Sequence, residues 1–167
     1  MKVDLPLRIE IPKTLGEFKT GLMFRESLDT NSGMLFVFEK VAQQSFHMSH
    51  TTIPLDIAFI DEEGCIESIK ELVPLRKEPV YSNAQVLYAL EVNRGWFKEN
   101  EVKVGDKIID FEVNENIDTS NWKDDFKPLN MNSLMSSHQN PYNHPKIKYN
   151  GLIWEKQQIS HERQVIS

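Results

Sequence analysis

Two short runs, GMLFVF at 33–38 and LDIAFI at 55–60, are apolar on both faces of an extended chain, Asp56 excepted. A strand of that kind is at ease only inside a sheet, covered on each side. The chain must therefore supply flanking strands and a second layer, and the pattern around the runs does so. Leu5, Leu7, Ile9 and Ile11 alternate with Pro6, Arg8 and Glu10, the signature of a half-buried strand whose proline favours an edge or a strand start. Asp61-Glu62-Glu63-Gly64 forms a turn into a strand from Cys65 to about Leu72. A strand over Gln85 to Asn93 puts Val86, Tyr88, Leu90 and Val92 on one face and Glu91 on the other. Val104-Gly105-Asp106-Lys107 turns into a further strand, Ile108 to Val113. Helices are few: Thr14-Leu15-Gly16-Glu17 is a capping box opening a short helix to about Phe24, and residues 94–100 supply a turn or two. The expectation is a mainly β (α+β) fold, compact and largely antiparallel, barrel-like or strongly bent, with one or two short helices.

The pattern changes after Val113. Residues 1–113 read as the β-rich domain, and residues 114–167 as an Asn-rich C-terminal arm with Trp122, Phe126 and Tyr142 isolated in it. Within the arm, KIKYNGLIWEK carries Asn150-Gly151, a strong two-residue hairpin signal, so a hairpin is expected near 146–156. That register pairs Tyr149 with Leu152 and Ile147 with Trp154, placing all four on one face. A two-stranded ribbon is marginal alone, so its apolar face must dock. Docking on its own domain avoids the entropic cost of association, and docking on a second copy is the alternative.

Bulk properties narrow the partners. The 167 residues carry a net charge of −6 and no run of Lys/Arg, which argues against nucleic acid or an anionic membrane as the main partner. One cysteine, Cys65, rules out an internal disulfide and a thiolate metal cage. The start, MKVDLPLRIEIP, enters strand pattern directly with no signal-peptide layout, and no segment is long and apolar enough to span a bilayer, so a cytoplasmic location is the simplest expectation.

Candidate site residues follow from chemistry. Asp56 sits among Leu55, Ile57, Ala58 and Phe59, so it is desolvated and needs a partner; Arg25, the Thr51 hydroxyl or N–H groups of the 46–54 loop are the candidates. Paired in that way, Asp56 fastens the loop to the sheet; paired with Glu91, it would suit an acid–base role in a hydrolase. His47 and His50 are three apart, which on a strand sends them to opposite faces, so hydrogen-bonding or surface roles are favoured over a metal; His138, His144 and His161 are scattered through the arm. Cys65 has no neighbouring histidine in sequence and reads as an inert thiol. Met23, Met34 and Met48, with Phe36 and Phe46, are either core filling or the lining of a pocket for an apolar or planar ligand.

Taken together, TGLMFRESL, GMLFVF, FHMSHTTIPLDIAFIDEEG, the later Pro, Tyr and Leu-Glu positions, and VGD closely resemble domain-of-unknown-function family 192, also catalogued as uncharacterised protein family 0127. The resemblance covers roughly residues 5–113. It rests on many spaced positions, among them Gly21, Arg25, Gly33, Met34, Phe36, Met48, Thr51, Pro54, Asp56, Gly64, Glu91 and Asp106. It implies a compact, mostly β fold and no established activity. Where that family usually has Phe-Trp-Met-Lys-Asn-Thr, this chain has Phe46-His47-Met48-Ser49-His50-Thr51, so the resemblance implies a shared site that does not need the histidines.

The reading is a non-catalytic β domain that binds a small molecule or peptide, with no cofactor or metal. Its ligand-binding residues are Arg25, Met48, Thr51, Asp56, Tyr81, Ser82 and Glu91, gathered in a cleft of the 46–56 loop, Arg25 and the Tyr81-Ser82 loop. The alternatives are an assembly protein that forms homo-oligomers through the arm, which would suit a viral or phage setting, and a hydrolase using Asp56 and Glu91.

Overall fold

The computed structural model describes residues 1–12, 14–112 and 148–156. In chain order they form β1 (Lys2–Glu10), α1 (Leu15–Thr20), β2 (Ser32–Ala42), β3 (Ser45–Phe46), β4 (Leu55–Ile60), β5 (Ile66–Leu72), β6 (Val80–Tyr81), β7 (Val86–Asn93), α2 (Trp96–Glu99), β8 (Lys107–Glu112) and β9 (Lys148–Glu155). Seven of the strands make one sheet in the order β5-β4-β7-β2-β1-β9-β8, and β3 pairs with β6 beside it. All pairings are antiparallel except β1 with β2. At one end the sheet's two outer strands meet: Cys65 bridges to Lys107, the Ile66 N–H reaches the Asp106 carbonyl at 2.9 Å, and the Ile108 N–H reaches the Gly64 carbonyl at 2.9 Å. The sheet is thus curled into a half-barrel, and the fold is mainly β as the sequence implies.

The two doubly apolar runs are β2 and β4, and they flank β7 from either side. Register sorts their side chains by face. Leu35, Leu90 and Ala58 are cross-strand partners in one core, with Trp96, Phe97 and Trp154. Phe36, Ala89 and Phe59 are partners in a second core, closed by Phe18 of α1 and by Met48 and Ile53 of the segment after β3. Val86, expected beside Tyr88, joins this second core, because an irregularity in the β2–β7 register separates Val86 from Tyr88. Burial on both faces is what a central strand with no polar side requires.

Gly33 shows why a flexible residue sits in a central strand. A Cβ there would lie 2.8 Å from the Glu91 carbonyl oxygen, and backbone cannot yield as a side chain does. Helix α1 is shorter than the sequence suggests. It ends at Thr20 because Gly21 turns to φ 52°, its N–H closing on the Glu17 carbonyl at 2.9 Å.

The hairpin expected at Asn150-Gly151 is not formed. Residues 148–155 run as one strand between β1 and β8, with Gly151 opposite Pro6 on one side and Glu112 on the other. Two ladders outweigh the one that a hairpin would offer. The β1 side advances from Pro6 to Ile9 while β9 steps only from Gly151 to Tyr149, so a bulge falls in β1 next to a residue with no N–H to donate. Trp154 is fully buried in this chain's own core. Asp106, itself buried, accepts from Lys156 Nζ at 2.7 Å and from the Lys103 N–H at 2.8 Å, tying the end of β9 to the turn before β8. Residues 113–147 and 157–167, with Trp122, Phe126, His138, Tyr142, His144, Ile147 and His161, lie outside the described residues.

Candidate functional site

Of the seven residues proposed from sequence, three come together. Met48, Thr51 and Glu91 line a cleft of about 370 Å³ over the second core, between α1 and the β3–β4 segment. Glu91 occupies the floor. In register it lies between Met34 of β2 and Ile57 of β4, so its side chain leaves the central strand on the face that α1 covers. Only 5% of Glu91 and 4% of Thr51 is exposed. Neither the Glu91 carboxyl nor the Thr51 hydroxyl has a hydrogen-bond partner among the described residues. Loss of hydration therefore acts on Glu91 without compensation, and burial pushes its carboxyl from the ordinary 4.5 up to about 8. At neutral pH it is mostly the protonated acid.

The walls are aromatic and thioether. Phe36 stands edge-on to Phe18 at 5.4 Å and to Phe46 at 4.9 Å between ring centroids. Met23 and Met48 complete the apolar surface, and Lys19 and His47 stand at the exposed mouth. Local backbone puts these groups in place. Gly21 ends α1 and lets the chain pass over Phe36, whose ring would lie 3.1 Å from any Cβ there. The Met48 N–H is held by the Arg76 carbonyl at 2.9 Å, and the Thr51 N–H by the Met48 carbonyl at 3.1 Å.

The other four candidates lie elsewhere. Arg25 pairs with Glu10 at 2.8 Å and borders neighbouring surface hollows. Tyr81 is half exposed on β6. Ser82 is buried, and its hydroxyl works on backbone, accepting from the Gln44 N–H at 3.1 Å and donating to the Ala84 carbonyl at 2.7 Å. Asp56 has the partner that its burial demands, but not a predicted one: its Oδ2 accepts the Gly95 N–H at 2.8 Å, with Arg94 Nε 3.8 Å from Oδ1. The reason is topological. Asp56 is opposite Val92, and the chain reverses just after β7, laying Arg94 and Gly95 over the carboxylate. Asp56 therefore fastens the β7–α2 turn, not the 46–54 loop. Asp56→Ala should cost roughly 1–3 kcal/mol in urea unfolding, the expense of an unmet N–H and a lost charge-assisted bond, while the cleft keeps its shape.

Asp56 and Glu91 also face opposite sides of the sheet, since Asp56 aligns with Val92 and Glu91 with Ile57. They cannot serve as an acid–base pair on one substrate. The histidines separate likewise: His47 edges the cleft, its Nδ1 accepting from the Ser49 N–H at 3.3 Å, while His50 stacks on Phe24 at 5.4 Å. Burial, then the nearby Asp61 carboxylate, pushes the Cys65 thiol up, away from the reactive thiolate. Among the described residues no three His, Cys, Asp or Glu side chains gather as a metal site, and no helix is long and apolar enough to cross a membrane.

Sequence reasoning flagged Met23, Met48, Phe36 and Phe46 as one possible lining, and they do meet; Met34 borders an adjoining hollow with Met23. It missed Phe18, whose helix is too short to show a periodic face, and Lys19 and Leu22 beside it. The one available signal was Gly21, a glycine at a helix end directly before two apolar residues.

Comparison with known proteins gives an uncharacterised family. No curated protein matches the chain. Among solved structures, a Sinorhizobium meliloti 1021 protein described as a "putative transcription regulator" is 30% identical, with a TM-score of 0.58 over 64% of this chain and 92% of that one. A protein of unknown function from Novosphingobium aromaticivorans DSM 12444 is 34% identical, with a TM-score of 0.56 over 59% of this chain and 71% of that one. Residues 2–109 match DUF192, described as "Uncharacterized ACR". With the greater part of its length matched, the chain belongs to the DUF192 family.

Proposed function

We propose that this protein is a non-catalytic binding domain whose cleft between α1 and the β3–β4 segment takes a small, largely apolar ligand. One observation carries the reading. Two polar side chains, each more than nine-tenths buried, line an aromatic cleft with no side-chain hydrogen-bond partner among the described residues. Their oxygens open onto the cleft, where a ligand can take the place of water. A ligand that hydrogen-bonds to Glu91 and Thr51 while its body rests on Phe18, Phe36 and Phe46 would restore both. The volume is at the small end of about 300–1,000 Å³ for ligand pockets, which favours a small molecule over a folded partner.

Methionine methyl resonances give a direct test. Titration of ¹³C-methyl-labelled protein with small aromatic compounds should move the Met23 and Met48 signals together, and leave Met1, which precedes β1 and is not in the cleft lining, in place. Shifts spread over the surface, or none at millimolar ligand, would contradict the assignment.

A further inference from the structure

We propose that the ligand of this cleft is an organic cation, an amine carried on an apolar or aromatic body, whose nitrogen ion-pairs with Glu91 and hydrogen-bonds to Thr51. The inference rests on the binding reading above and specifies the chemistry of the ligand. The buried part of the cleft offers acceptors: carboxyl oxygens from β7, a hydroxyl oxygen from Thr51, thioether sulfurs from Met23 and Met48, and the π faces of phenylalanines. Ring faces and thioethers are electron-rich, and a desolvated cation within about 6 Å of a ring centroid is attracted to it. An ammonium also matches the polar pair in number, because its three N–H groups can satisfy Glu91 and Thr51 together.

The walls favour an aromatic or branched alkyl body over a bare inorganic ion. Phe18, Phe36 and Phe46 already meet edge to face, and a further ring on the ligand extends that packing. Among the described residues a metal ion would find a single carboxylate in the cleft and no cluster of ligands.

Binding in this form requires Glu91 to give up its proton. Burial holds that proton up to about pH 8 in the empty cleft, so cation binding below that pH expels it. Affinity should therefore rise close to tenfold per pH unit from pH 6 towards pH 8, then level off until the amine itself deprotonates. The other ionisable groups lining the cleft are Lys19 from α1 and His47 from the segment after β3, both exposed at the mouth. The strands beside Glu91 present Met34 and Ile57, which do not titrate.

Phenethylamine is the probe, with 2-phenylethanol as its uncharged counterpart and 3-phenylpropionate as its anionic one. By calorimetry and methionine methyl NMR on the full chain, phenethylamine should bind at least tenfold more tightly than 2-phenylethanol at pH 8, and 3-phenylpropionate should bind least. In buffers of different ionisation enthalpy at pH 7, one proton should be released for each amine bound. Glu91→Gln should abolish the preference, the proton release and the pH slope, while His50→Gln, at a histidine outside the cleft lining, keeps all three. If 2-phenylethanol binds as tightly as the amine and Glu91→Gln changes neither affinity, the cation assignment is overturned and the binding cleft stands. If none of the three probes moves Met23 or Met48, both fall together.

Discussion

Trp154→Ala should destabilise the protein by about 3–5 kcal/mol, the range for emptying a fully buried tryptophan site, and Trp154→Phe should recover most of that loss. The first expectation follows from position. Trp154 is fully buried, aligned with Val3 of β1 and Ile108 of β8, so its indole packs at the junction of three strands. The second follows from chemistry. Among the described residues the indole N–H has no hydrogen-bond partner, so phenylalanine forfeits volume and none of the polar contacts described. Chemical denaturation monitored by circular dichroism reads both variants. The same geometry predicts that a chain ending at Val113 fails to fold cooperatively, since removing β9 leaves β1 and β8 without the strand between them and Asp106 without Lys156. A truncated chain as stable as the full one would contradict the place of β9 in the sheet.

Glu91→Gln should change the pH dependence of stability on a similar scale. The unfolded chain releases the Glu91 proton near the ordinary 4.5, whereas the native protein keeps it up to about 8. Between those values the native state binds more protons, so each rise in pH costs wild-type stability. Below about pH 4.5 the Glu91 contribution is fully present; it is lost as pH climbs to 8. At about 1.4 kcal/mol per unit, the sum is on the order of 4 kcal/mol. Glutamine is neutral throughout and similar in shape, so the variant should match wild type near pH 4 and exceed it increasingly up to pH 8. Subtracting the two profiles cancels the other titrating groups. A difference that does not vary with pH would mean that Glu91 has found a partner. Retaining so costly a group is consistent with its use in binding, because destabilised polar groups gather at functional sites.

Much of the body was legible in the sequence because its signals are local. Strand alternation in residues 5–11, the doubly apolar runs at β2 and β4, and the Asp61–Gly64 turn each depend on neighbours a few residues apart. Asp61 makes that turn by accepting from the Glu63 and Cys65 N–H groups, with Gly64 at φ 92°. What escaped was long-range. Asn150-Gly151 carries turn chemistry, yet partners some 140 residues away in β1 hold it extended. Asp56 was recognised as a buried acid in need of company, but its partner depended on where the chain goes after Asn93. The cleft was half legible for the same reason. Its methionines and phenylalanines stood out by type, while their meeting over Glu91 is set by α1 and the 45–51 segment crossing the sheet. Arg25 looked like the best cation on offer for Asp56, and its pairing with Glu10 of β1 removed it from the site.

Glu91 places a carboxyl with no described side-chain partner beneath an aromatic cleft. Side-chain carboxyl ¹³C shifts of the unliganded protein, assigned by loss of one signal in Glu91→Gln and followed from pH 3 to pH 10, measure that state directly. A Glu91 midpoint near 8 is the predicted result; a midpoint near 4.5 would show the group hydrated or already paired, and would contradict the site as described.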